Sequence, residues 1–186
     1  MKHLFLCLSI FLLFTSCKKN ETKPKVSADA EITQKVKMLY SIYGKSSNVI
    51  YDQPIPKDMF SPEVEKTFQE AINTSKADIE NVKKSDHPTD KPLLMEGSIF
   101  TSLYEGYTRY KIKSIAVMKG TKPAYMTADV TISLENSNYP NEKDAKWIDT
   151  IHLVNNLDSG WKIDNIKFNN GNLKSNLNSF ISGAKQ

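Results

Sequence analysis

The chain is poor in the residues on which several kinds of chemistry depend. Two cysteines, Cys7 and Cys17, are present among 186 residues, too few for a disulfide-stapled fold. Arg109 is the sole arginine and the net charge is only +4, which argues against nucleic acid as a partner, because phosphate recognition draws on clustered arginine forks. Of three histidines, His87 and His152 follow the N-terminal segment, and neither has a metal-ligand partner at helical or short-loop spacing. No metal or cofactor is therefore expected. The sequence has no glycine-rich phosphate loop, no Gly-x-Ser-x-Gly elbow, no paired-carboxylate signature and no calcium loop. Downstream of residue 17 no apolar run approaches the roughly 20 residues that a membrane-spanning helix needs.

The apolar segment that does exist lies at the very start. Lys2 and His3 precede the run Leu4 to Phe14, followed by small Thr15 and Ser16 and then Cys17, the order of a secretory signal. Leu13-Phe14-Thr15-Ser16-Cys17 resembles the lipobox of bacterial lipoproteins. The resemblance implies cleavage after Ser16, acylation of Cys17 with palmitate-type chains, and a membrane partner reached through that lipid anchor. It also implies removal of the one remaining thiol from chemistry. A single acyl chain holds a protein only marginally, but several make attachment effectively permanent. Residues 17–27, Cys-Lys-Lys-Asn-Glu-Thr-Lys-Pro-Lys-Val-Ser, are too polar to bury a core and read as a tether. Lys18-Lys19-Asn20 lacks the acidic signal for surface export in Bacteroidota-type lipoproteins, so the expected location is the periplasmic face of the outer membrane.

Residues 28–182 have the composition and length of a single globular domain. Ser27 is a candidate cap for a helix over 28–43, with Asp29 and Glu31 in its first turn, Ile32, Val36, Leu39, Tyr40 and Tyr43 on one face, and Gly44 as its stop. Lys45 to Met59 reads as a loop. Ser61-Pro62-Glu63 opens a second helix running to about residue 82, with Val64, Phe68, Ala71, Ile72, Ile79 and Val82 as its apolar stripe. Ser85 to Pro92 is a connector, and Leu93 to Leu103 fits either a helical turn or an edge strand.

The period then changes. Tyr107 to Met118 reads as a strand whose alternation slips near Ser114, which predicts a β-bulge. Ala124 to Leu134 alternates cleanly between apolar and polar residues. Glu135 to Ala145 is a polar loop. Trp147–Asn155 and Trp161–Phe168 read as an antiparallel hairpin joined through Asn156-Leu157-Asp158-Ser159-Gly160. After Asn170-Gly171, Leu173, Leu177, Phe180 and Ile181 have helical spacing. The order predicts an α+β fold with N-terminal helices packed on a curved antiparallel sheet and a short C-terminal helix.

Glu96-Gly97-Ser98-Ile99-Phe100-Thr101-Ser102-Leu103-Tyr104-Glu105-Gly106, the strand Tyr110-Lys111-Ile112 and the stretch Gly160-Trp161-Lys162-Ile163-Asp164-Asn165-Ile166 resemble an uncharacterised family of bacterial exported domains. That family is similar to the cone-shaped nuclear transport factor two and ketosteroid isomerase superfamily. The resemblance implies the cone fold over roughly residues 28 to 170 and no particular activity.

Candidate chemistry is sparse. Asp149 shares strand parity with Trp147, Ile151 and Leu153 and is the best-placed acid. His152 lies on the opposite parity, as Asp129 does in its own strand. Tyr107, Arg109 and Tyr110 form a candidate ligand-binding group, since arginine beside aromatic rings can take an anion or stack. Together these features favour an envelope-anchored binding or interaction module for a small ligand, a peptide or a protein partner, an immunity-type role included. The alternatives are a small pocket enzyme (hydrolase, isomerase or dehydratase) with Asp149 or His152 as base, and a purely structural envelope protein. Dimerisation through the outer sheet face is an open option.

Overall fold

A computed structural model of the chain describes residues 27–43, 49–120, 125–139, 146–156 and 159–184. The signal segment, Cys17, nearly all of the tether, and Gly44, Ala124, Leu157 and Asp158 lie outside them. Helices α1 (Ala28–Tyr43), α2 (Val49–Asp52) and α3 (Pro62–Lys84) come first. Strands β1 (Arg109–Lys119), β2 (Tyr125–Glu135), β3 (Lys146–Asn156) and β4 (Gly160–Lys167) follow, and α4 (Leu173–Gly183) closes the chain. The four strands form one open antiparallel sheet in sequence order. The architecture is α+β.

The long helices form where capping and periodicity place them. In α1 the side chains Ile32, Val36, Leu39, Tyr40 and Tyr43 are buried. Ser61 caps α3, its Oγ accepting from Val64 N at 3.4 Å, and Pro62 occupies the first turn, where its missing N–H costs nothing. The buried stripe of α3 is Val64, Phe68, Ala71 and Ile72, with Ser75 added to it, and the helix runs to Lys84. Toward the end of α3, Ile79 and Val82 are only half-buried.

Two expectations need correction. The segment 45–59 contains the single-turn helix α2, where Tyr51 Oη pairs with Ser75 Oγ at 3.0 Å and accepts from Met95 N at 2.7 Å. A partner on the distant α3 sets this turn, so local sequence does not reveal it. Leu93 to Leu103 is neither helix nor strand. It folds as a run of turns, held by long-range hydrogen bonds described below.

Within the sheet, β2 buries Ala128, Val130, Ile132 and Leu134 on the face toward the helices. In β1 the register shifts between Ile112 and Ser114, leaving Lys113 unpaired, so that Ile112 and Ile115 both pack against the core. This is the expected bulge. A second irregularity, at Asp164 in β4, lets Ile163 and Ile166 both turn inward with no accessible surface.

The free edge of β4 is covered by the chain entering α3. Ser61 N donates to Ile163 O at 2.8 Å and Ile163 N donates to Met59 O at 2.9 Å, which pairs Phe60 in parallel with Ile163 and blunts an exposed edge. Behind it, Phe60, Phe68 and Phe100 form an aromatic cluster, Phe60 stacked on Phe100 at 5.9 Å and Phe68 edge-on to both. Aromatic contacts of this kind are worth about 0.5–1.5 kcal/mol each beyond area burial. α4 docks on α3 and β4 through Leu173, Leu177 and Ile181, and Lys174 bridges Glu63 at 2.7 Å and Asp164 at 3.0 Å.

Candidate functional site

Asp149 sits on the helix-facing side of β3 and is 1% exposed. A buried carboxylate survives only if its oxygens are hydrogen-bonded, and here donors converge on it. Oδ2 accepts from Thr101 Oγ1 at 2.8 Å, Ser102 N at 3.0 Å and Trp147 Nε1 at 3.1 Å, while Oδ1 accepts from Ser102 Oγ. Ser102 Oγ in turn accepts from Asn169 N at 2.9 Å. The carboxylate therefore ties the loop 98–104 and the start of the segment after β4 to the sheet. It is a fastener for two chain segments, one 48 residues away in sequence and the other reached through Ser102.

In front of this fastener lies a cleft of about 560 Å³, within the range usual for small-ligand sites. Leu94 to Tyr104 form one wall, Lys146 and Trp147 at the start of β3 form the floor, and Phe168, Asn169 and Asn170 with Leu173, Asn176, Leu177 and Phe180 form the other wall. Gly97 makes the first wall possible. It has φ +70°, and a Cβ there would come within 2.3 Å of the Tyr104 ring, so only glycine lets Tyr104 fold back over the turn.

The cleft is amphipathic and almost neutral. Its apolar surfaces come from Met95, Ile99, Trp147, Phe168, Leu177 and Phe180, its polar ones from Ser98, Thr101, Ser102 and three asparagines. Ser98 Oγ is buried without a hydrogen-bond partner among the described residues. Glu96, Tyr104 and Lys146 are the ionisable groups in the lining. Glu96 pairs with Lys91 at 2.5 Å and accepts from Tyr104 Oη at 3.3 Å. The hydrogen bond and charge of Lys91 hold its carboxyl below the usual range. Among the described residues no three His, Cys, Asp or Glu side chains gather as metal ligands.

Asp149 thus lies directly behind the cleft wall, since Thr101, Ser102 and Trp147, which line the cleft, are its donors. His152 does not join it. It faces the opposite side of the sheet, its Nδ1 2.6 Å from Asp129 Oδ1 on the paired strand. The group Tyr107, Arg109 and Tyr110 is split. Tyr107 and Tyr110 pack with Tyr40, ring centroids 5.0 and 4.6 Å away, and Tyr107 Oη donates to Tyr40 O at 2.8 Å. Burial pushes the phenols of Tyr107 and Tyr40 well up, the Asp149 charge adding to the effect at Tyr40. Arg109 points outward, its side chain 74% exposed, and meets Glu135 at 3.3 Å.

Sequence reasoning missed Ser98, Thr101, Ser102, Asn169, Asn170 and Asn176. The one local signal for them was the spacing of Gly97 and Gly106, both of positive φ, around a segment of small polar and aromatic residues. No family model, no curated protein and no solved structure matches the chain.

Proposed function

We propose that this chain is a lipid-anchored envelope protein whose α+β domain holds a small neutral ligand in the cleft between the 94–104 loop and α4. One observation carries the reading: the half-open amphipathic cleft, with aromatic and aliphatic faces beside the Ser98 hydroxyl, which has no partner among the described residues, and the side-chain amides of Asn169, Asn170 and Asn176. Those groups suit a molecule with one apolar face and several neutral hydrogen-bonding groups, such as a saccharide or a short uncharged peptide. The residues Leu13 to Cys17 support acylation of Cys17, and the signal segment supports the periplasmic side of the outer membrane. Helices packed on one face of a bulged antiparallel sheet are in keeping with the cone-shaped superfamily that the sequence resembles.

The enzymatic alternative has less support. Asp149 has both oxygens engaged by donors behind the cleft wall, and His152 lies on the other face of the sheet. A purely structural role is disfavoured by the cleft itself, which a filled cone would lack. The reading is tested by thermal unfolding of the chain from Cys17 onward against a panel of neutral saccharides, N-acetylated amino sugars and short uncharged peptides. At least one class is expected to raise Tm at millimolar concentration, and Asn176→Trp, which hangs an indole over the cleft from the exposed face of α4, is expected to abolish the rise. A panel that leaves Tm unchanged, or raises it equally in both proteins, overturns the proposal.

A further inference from the structure

The two ends of the sheet differ in a way that the cleft does not explain. β1 runs into β2 at one end, and β3 runs into β4 at that same end, because Tyr125 is paired with Asn156. The first turns of α1 lie there too: Glu31, Gln34 and Lys35 border the same hollow as Ser159, Gly160 and Trp161. α1 then crosses the sheet toward the start of β1, where Tyr40 meets Tyr107 and Tyr110. That opposite end holds the cleft. Ser27, and with it the exit of the tether, therefore belongs to the hairpin end.

The hairpin end of β1 and β2 is apolar where it has no need to be. Val117, Met118 and Tyr125 are 40%, 43% and 36% exposed. Cross-strand pairing sorts them onto different faces: Val117 pairs with buried Ala128 and lies on the helix side, whereas Met118 pairs with Thr127 and lies with Tyr125 on the outer side. Lys119 is exposed beside them and has no ion-pair partner among the described residues. A flat protein partner covers one face of a ribbon. A ribbon end that is apolar on both faces, with an aromatic hydroxyl and an ammonium at its margin, suits a medium that closes around it. Tyrosine and lysine are the side chains that settle where an apolar layer meets water.

We propose that the β1–β2 hairpin end rests in the membrane surface, with Val117, Met118 and Tyr125 among the lipid headgroups and Lys119 against their phosphates. The inference rests on the lipid-anchor reading above. From Cys17 to Ser27 the chain reaches at most about 33 Å, about the length of β2 itself at some 3.3 Å per residue. Contacts too weak to bind a free protein are effective at the local concentration such a leash imposes. The cleft then opens away from the bilayer, toward soluble ligand.

The test supplies the anchor chemically. The chain from Cys17 onward, carrying Tyr125→Trp, is coupled through the Cys17 thiol to a maleimide lipid in phosphatidylethanolamine–phosphatidylglycerol vesicles with or without brominated acyl chains. Apolar side chains at an interface sit about 5–10 Å into the headgroup region, within reach of the bromines, so the fluorescence added by Tyr125→Trp is expected to fall by about half. The fall is expected to disappear when Val117→Ser and Met118→Ser are added, and when coupling is moved to the cleft end by Asn170→Cys with Cys17→Ser. Absence of quenching, or equal quenching from both attachment points, overturns the contact. So does a vesicle-free dimer that Val117→Ser and Met118→Ser dissociate, since the surface would then belong to a second copy. Failure of the anchor reading registers separately, as an unacylated Cys17 in the host.

Discussion

Replacing Asp149 by asparagine tests the fastener behind the cleft. The substitution keeps the shape and one acceptor oxygen but puts an NH₂ group where a carboxylate oxygen stood. Three donors, Thr101 Oγ1, Ser102 N and Trp147 Nε1, meet on Oδ2 alone, so the amide keeps them only by turning its NH₂ toward Ser102 Oγ, which then loses its acceptor and already accepts from Asn169 N. Hydrogen bonds to a charged group contribute about 1.5–3 kcal/mol each. Their sum overstates the loss, because the Thr101 and Ser102 hydroxyls can rotate and Trp147 Nε1 keeps Thr101 Oγ1 at 2.8 Å. A buried polar group left unsatisfied costs about 1–3 kcal/mol and the bonds that remain are weaker to a neutral amide, so a loss of about 3 kcal/mol is expected. At about 2–4 °C per kcal/mol for a domain of this size, Tm should fall by about 10 °C. Urea unfolding monitored by tryptophan fluorescence gives the free energy directly, and Asp129→Asn is the control. That carboxylate is part-exposed on the other face, and its loss should cost under about 1 kcal/mol. A loss at Asp149 no larger than at Asp129 would refute the fastener.

Further outcomes follow from the same geometry. Tyr43 is held neutral in the folded state by burial, its pKa pushed up to about 12 from the ordinary phenol value of 10.0. A folded pKa above the unfolded one gives stability that is intact below pH 10 and lost as pH rises from 10 through 12, so alkaline unfolding should steepen in that window. In Tyr43→Phe it should flatten. Tyr40 and Tyr43 hydroxyls are buried without partners among the described residues, so Tyr40→Phe should leave chemical-denaturation midpoints unchanged or raise stability by up to about 1 kcal/mol. Ser61→Ala removes the α3 cap and should cost about 1 kcal/mol by the same assay.

The elements that sequence reveals are those whose signal is local. The caps of α1 and α3, the α1 stripe and the first half of the α3 stripe, the alternation of β2, the parity slip in β1 and the pairing of Asn156 with Gly160 each depend on neighbours within a few residues, and each is found where periodicity puts it. What escaped depends on distance along the chain. α2 is set by Tyr51 meeting Ser75 and Met95, the 94–104 loop by Asp149 nearly fifty residues on, and the cover of β4 by Met59 and Ser61. Asp149 was legible as an inward-facing carboxylate from its parity with Trp147 and Ile151. Its partners, and hence the cleft, were not, because small polar residues in loops carry no period.

The account is tested most directly by native mass spectrometry of the protein extracted in mild detergent from its own host. The expected spectrum contains a chain beginning at an acylated Cys17, with a small neutral adduct that is lost in Asn176→Trp. A chain that retains Met1 to Ser16, or begins at a bare thiol, and carries no adduct sensitive to Asn176→Trp would contradict it.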